Sequence, residues 1–197
     1  MAGKKTQKSE VNIRERAIEA TLALAARDGW DAVTLPGIAR HAKISLSALH
    51  EHFDDRYDIL ACYARMVDQR VLNAISPAVE QSNHRDRLFD ILMERFDVLN
   101  ENREALLSII QHLKCEPHQI LTSLPYLGRS MRWMLEAAGL PTTGLRGAGH
   151  IAALSAVYIA TLRTWAGDDS PDMSQTMAAL DRHLGQAERL ADMLGII

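Results

Sequence analysis

Apolar residues in this chain recur at spacings of three and four along most of its length, and alternating runs of Val, Ile and Thr bounded by turns are nearly absent. That spacing is the period of an α-helix and not of a half-buried strand. The pattern predicts an all-α protein. The first helix is expected over about 11–28, with Ile13, Ala17, Ile18, Thr21, Leu22 and Ala25 on one face and Gly29 closing it. Thr34 can cap a short second helix that carries Pro36 in its first turn, and Ser45 a third that carries Leu49 and ends near Phe53. Asp54 or Asp55 starts a fourth, which Pro77 ends. Longer helices follow over about 85–100, 103–115, 120–138, 145–166 and 174–194, nine in all.

The composition narrows the class. The chain has 197 residues, enough to bury a core in one or two domains. The opening MAGKKTQKSE has no apolar stretch behind its lysines, so it does not read as a secretory signal. The longest uncharged stretch, Gly147 to Leu162, stops at Arg163, and no segment is expected to span a membrane. Two cysteines, Cys62 and Cys115, give no disulfide framework and suit a reducing, cytoplasmic setting. The net charge of −3 is unevenly placed: residues 1–56 hold nine Lys/Arg against eight Asp/Glu, and Lys4, Lys5 and Lys8 are expected to form a basic, flexible arm over 1–10, which can follow a phosphate backbone or, as the charge alone favours, serve as a solubilising tail.

Two short helices joined by Ala42-Lys43-Ile44-Ser45 have the layout of a helix-turn-helix over 11–56, in which the first helix braces a second that enters the major groove of DNA. The wider stretch from Arg16 to Leu60 resembles the TetR family of transcriptional repressors. The residues that carry the resemblance are Arg27-Asp28-Gly29-Trp30, Thr34, Ile38-Ala39, Ala42, Ser45, Leu49, His52-Phe53 and Ile59-Leu60. Where the family usually shows Gly after the Ala, a Gly-Thr pair, a Tyr and a Lys, this chain has Lys43, Ser47-Ala48, His50 and Arg56. The resemblance implies that Ser45, Leu46, Ser47, Ala48 and His50 face the groove or its edges, and that Thr34, His52 and Arg56 touch phosphates. The recognition helix offers no Arg, Asn or Gln for a bidentate base contact.

The rest of the chain, 57–197, reads as a ligand-binding and dimerisation domain. Met93, Phe96, Tyr126, Met131, Trp133, Met134 and Tyr158 are soft or aromatic side chains that suit a small apolar effector, and equally suit a core. The resemblance implies an effector pocket in this region. Met177, Leu180, Leu184, Ala187, Ala191 and Leu194 repeat like a coiled-coil seam, and the helix from Leu145 is rich in small residues, Ala152 and Ala156 among them. A homodimer pairing these two helices is expected, as in the TetR family. Thr164 to Leu184 also resembles the C-terminal signature of the lipid-binding ubiquinone-biosynthesis family, which shares the TetR fold. That resemblance implies an isoprenoid or acyl-lipid ligand and supplies the alternative of an accessory protein without a DNA function. His112, Cys115 and His118 are spaced three apart, but Pro117 interrupts them and no fourth ligand is evident, so neither a metal nor a cofactor is expected. No nucleophile–base pair stands out, and the chain does not read as an enzyme.

Overall fold

A computed structural model describes residues 2–75 and 83–193, without the side chains of residues 2–11, 117–122 and 192. Among the described residues there are nine α-helices and no strand: α1 (Ala2–Asp28), α2 (Leu35–Ala42), α3 (Leu46–His50), α4 (Arg56–Ala74), α5 (His84–Asn100), α6 (Arg103–Cys115), α7 (Pro117–Ala137), α8 (Gly144–Trp165) and α9 (Ser174–Met193), with a 3-10 turn at Trp30–Ala32. The helix α1 takes in the residues read above as an arm. Pro77, Leu194 and the side chain of His118 lie outside the described residues.

The chain forms two compact units. One comprises Met1–Met66 with Leu99–Leu121, the other Val67–Val98 with Thr122–Ile197. The division falls inside α4 and gives α6 to the N-terminal unit, so it does not follow the single cut at residue 56 expected above.

The N-terminal unit closes over Ala17, Leu24, Ala25, Trp30, Ile38, Leu49, Phe53 and Ile59, all buried. Gly29 ends α1 at φ 82, a left-handed conformation that a side chain would strain. The C-terminal unit buries Leu92, Phe96, Met131, Met134, Leu135, Trp165 and Leu180.

Long and apolar enough by length and composition to cross a membrane, α8 has a mean hydropathy of 1.2 over its best window, which revises the expectation that no segment qualifies. That mean comes mostly from Ile151, Leu154, Val157, Ile159 and Leu162, to which the alanines between Arg146 and Arg163 add. It lies against α9 and buries Leu154, Val157, Tyr158, Thr161 and Trp165. A side chain on Gly147 would collide with the Thr142 backbone, 2.1 Å from its carbonyl carbon, so the start of α8 can approach that loop only with glycine there.

The loop from α8 to α9 is built on Asp168, 2% exposed. Its carboxylate accepts the Ser170 N–H at 3.1 Å, the Thr176 N–H at 2.7 Å, the Thr176 hydroxyl at 2.7 Å and the Ser170 hydroxyl. Burial raises the Asp168 carboxyl, but the bonds from Ser170 and Thr176 outweigh it and hold the group well below the usual carboxylate range. A depressed folded value means stability that is present above the unfolded value, about pH 4, and is lost as pH falls below it. Asp168→Asn is expected to destabilise the chain by about 2 kcal/mol at pH 7 and to flatten the fall in stability below about pH 4. Urea unfolding at pH 7 and pH 3 checks this, and an unchanged midpoint at pH 7 contradicts it.

Candidate nucleic-acid interface

Two hydroxyl caps set the helix-turn-helix. Thr34 has extended backbone, and its hydroxyl accepts the Gly37 N–H at 3.2 Å, with Pro36 placed where no N–H is needed. Ser45 does the same for the Ala48 N–H at 3.0 Å. Each oxygen is used as an acceptor, but each O–H is still a donor, which is what a phosphate requires. Between them Lys43 is left-handed (φ 54, ψ 44), and the Lys43 and Ile44 N–H groups return to Arg40 and Ala39 at 3.2 and 3.0 Å. This is the geometry for which glycine is favoured, and a lysine there costs about 1 kcal/mol.

The α3 helix exposes Leu46, Ser47 and His50, with Ser45 exposed just before it and Glu51 just after; Ala48 and His52 are half-buried. Leu49 and Phe53 point into the core. The expected groove-facing residues are thus brought together on one short helix and its cap. Arg40 and Lys43, absent from the sequence-based site, are exposed close to them in the chain and add two cations to this surface. Their signal in the sequence was position alone.

Arg56 is placed differently from the phosphate contact expected for it. Its Nη1 donates to the Trp30 carbonyl at 3.0 Å and the Val33 carbonyl at 3.1 Å, and Nη2 reaches the Tyr57 hydroxyl at 3.5 Å. The guanidinium carbon lies 4.8 Å from the Trp30 ring centroid and 5.3 Å from that of Tyr57. One nitrogen thus serves both carbonyls while the flat guanidinium lies against two rings, a combination lysine cannot match. Arg16 does parallel work through Nη2, donating to the Lys43 carbonyl at 3.0 Å and to that of Ala42. Both arginines hold the frame of the reading head.

In the same unit, α6 meets the Trp30 corner. The Ser108 hydroxyl accepts the Trp30 N–H at 2.7 Å. His112 bonds the Asp31 carboxylate through Nδ1, and its Nε2 is 3.4 Å from the Tyr57 hydroxyl and 3.5 Å from a Glu116 oxygen. No group of three or more His, Cys, Asp or Glu fit to hold a metal occurs among the described residues. His112 is a structural link between α6 and Asp31.

Of the residues expected to line an effector pocket, Phe96, Met131, Met134 and Tyr158 are buried and Met93 is half-buried. Tyr126 and Trp133 are exposed, at 44% and 55%, and do not line that interior. Phe96 stacks on Tyr158 at 5.6 Å. Beside them lies a group that the apolar pattern concealed: Asp68, Arg95 and Ser130, all buried. Arg95 pairs with Asp68, and Ser130 donates to the same Asp68 oxygen at 2.5 Å. Arg95 lies 5.3 Å from the Tyr158 centroid. A cleft of about 550 Å³ opens elsewhere in this unit, lined by Arg85, Asp86, Phe89, Asp90, Asp172, Ser174, Met177, Ala178 and Asp181, none of them in the expected pocket.

The expected dimer face is split. Ala152, Ala156 and Met177 are exposed and Ala187 and Ala191 half-exposed, but Leu180 and Leu184 are buried within the chain. The repeat along α9 is satisfied in part by the unit's own core, which removes those two leucines from any contact with a second copy.

An all-α chain with a capped helix-turn-helix near its N-terminus has the layout of a DNA-binding regulator. Residues 17–62 match the bacterial regulatory proteins of the tetR family, and residues 152–191 match the COQ9 family. The TetR transcriptional regulator from Nitrosomonas europaea ATCC 19718 superposes with a TM-score of 0.71 at 24% identity, over 89% of this chain and 98% of that one. A TetR regulator from Rhodococcus sp. RHA1 gives 0.69 at 14% identity, over 91% and 97%. The dihydroxyacetone kinase operon activator DhaS gives 0.58 at 12%, over 90% and 97%. No curated protein matches the chain. The chain has the fold of these TetR structures, and residues 17–62 are similar to the tetR family of bacterial regulatory proteins.

If Arg56 braces the frame, Arg56→Ala lowers stability by about 2 kcal/mol and weakens DNA binding without changing its salt dependence. A phosphate contact would instead lower the slope of log K against log salt by about one. Thermal unfolding and a salt titration of DNA affinity separate the two; an unchanged Tm with a reduced slope restores the phosphate role.

Proposed function

We propose that the chain is a ligand-responsive transcriptional regulator that represses by binding a palindromic operator as a homodimer in the cytoplasm, with no enzymatic role. The observation that carries this reading is the capped helix-turn-helix of 34–50, with Ser45, Leu46, Ser47 and His50 presented outward, inside a segment that matches the tetR family. Thr34, Ser45, His50 and His52 supply hydroxyl and imidazole donors to phosphates, and Leu46, Ser47 and Ala48 meet the bases. A single α3 has only five helical residues, so two copies on a two-fold site are needed for useful affinity. The exposed small residues of α8, Ala152 and Ala156 among them, together with Met177, Ala187 and Ala191 of α9, supply the face for the second copy.

A small apolar effector is proposed to bind in the C-terminal unit near Met93, Phe96, Met131, Met134 and Tyr158. It must prefer one spacing of the two recognition helices over the other, since a ligand of equal affinity for both shifts nothing. The fold alone leaves the sign of regulation open, because DhaS, of similar fold, is an activator.

A second reading draws on the COQ9 match over 152–191: a lipid- or isoprenoid-binding accessory protein of quinone biosynthesis with no DNA function. Selecting bound fragments from the source genome at low salt, alongside mass spectrometry of lipid extracted from the purified chain, decides between them. The regulator predicts enrichment of one palindrome. Bound lipid with no enriched fragment contradicts it and favours the second reading.

A further inference from the structure

Among the described residues, Leu46 is the one exposed large hydrophobic residue of the N-terminal unit; the other seven all lie at Leu124 or beyond. It is 51% exposed on the first turn of α3, whereas Leu49, three residues on, is 1% exposed and serves the core. Around it the surface is polar: Ser45, Ser47 and His50 are exposed, and so is Lys43. Leu46 is open to solvent at the centre of the outward-facing set.

The chemistry of the remaining set limits what it can read. Leu-Ser-Ala-Leu-His contains no Arg, Asn or Gln, so the bidentate pairings to guanine and adenine are not available from α3. The Ser45 oxygen already accepts the Ala48 N–H. In the major groove the one base feature an aliphatic side chain distinguishes is a methyl group at C5 of a pyrimidine, which thymine carries and cytosine lacks. We infer that Leu46 is a specificity-determining residue, reading a thymine C5-methyl in each operator half-site. The inference rests on the DNA-binding reading above and deepens it by naming how that site tells sequences apart.

The test uses the full-length chain and duplexes selected from a random-sequence library. In the selected duplex each thymine is replaced in turn by deoxyuridine, which removes the methyl and leaves every hydrogen-bonding edge intact. One position per half-site is expected to lose roughly fourfold in affinity, the worth of one buried methyl group, and both together roughly fifteenfold. In Leu46→Ala the same replacements should cost less than about twofold, while Leu46→Met, which keeps an apolar contact, should retain most of the sensitivity. Leu46 is exposed, so both variants should unfold at the wild-type temperature, which removes misfolding as an explanation. If every deoxyuridine is silent in the wild type, or costs as much in Leu46→Ala, the role of Leu46 is overturned while DNA binding stands. If no sequence is enriched at all, the regulator reading fails and this inference fails with it.

Discussion

Two arginines that donate to backbone carbonyls hold the reading head together. The Trp30 carbonyl, which also accepts the Val33 N–H at 3.1 Å, and the Val33 carbonyl lie at the 3-10 turn, and those of Ala42 and Lys43 lie at the end of α2. Such groups need donors when water is partly excluded. Arg56 serves the first pair and Arg16 the second. With both ends tied, the caps at Thr34 and Ser45 fix the angle between α2 and α3, and the outward side chains follow. The frame also draws on the basic residues of the N-terminal region. Arg16 and Arg56 are spent on the frame, and Arg27 pairs with Asp28 at 2.6 Å. The cations left for phosphates include Arg40 and Lys43, both exposed.

Much of the fold was legible in the sequence, because helix periodicity and caps are local. Gly29, Thr34 and Ser45 end and start helices where their chemistry says they should. The outward placement of Ser45, Leu46, Ser47 and His50 was legible for the same reason, since five consecutive helical positions leave little freedom. What could not be read was the destination of long side chains. Arg56 sits next to the reading helix in sequence and has the right charge for a phosphate, yet it folds back over Trp30. The return of α6 to the N-terminal unit, through Ser108 and His112, is a contact across about eighty residues of sequence, and no periodicity reports it.

In the C-terminal unit the same distinction separates pattern from use. A heptad-like repeat on α9 states that one face is apolar, not whether its own chain or a second copy covers it. Leu180 and Leu184 are covered from within. The buried Asp68–Arg95 pair escaped notice because both residues lie on otherwise apolar helix faces, where a charge is costly unless paired. The match to the COQ9 family spans α8, the Asp168 loop and α9. Several of its residues, including Trp165, Asp168, Thr176 and Leu180, are buried in the unit's own packing. That stretch therefore serves the stability of the fold.

Residues 34–50 are proposed to act as a reading head used in pairs. Hydroxyl-radical footprinting of a selected duplex tests this most directly. Two protected patches are expected, related by a dyad, on one face of the DNA and a whole number of helical turns (about 10 base pairs each) apart. A single patch, or uniform protection without a dyad, would contradict it.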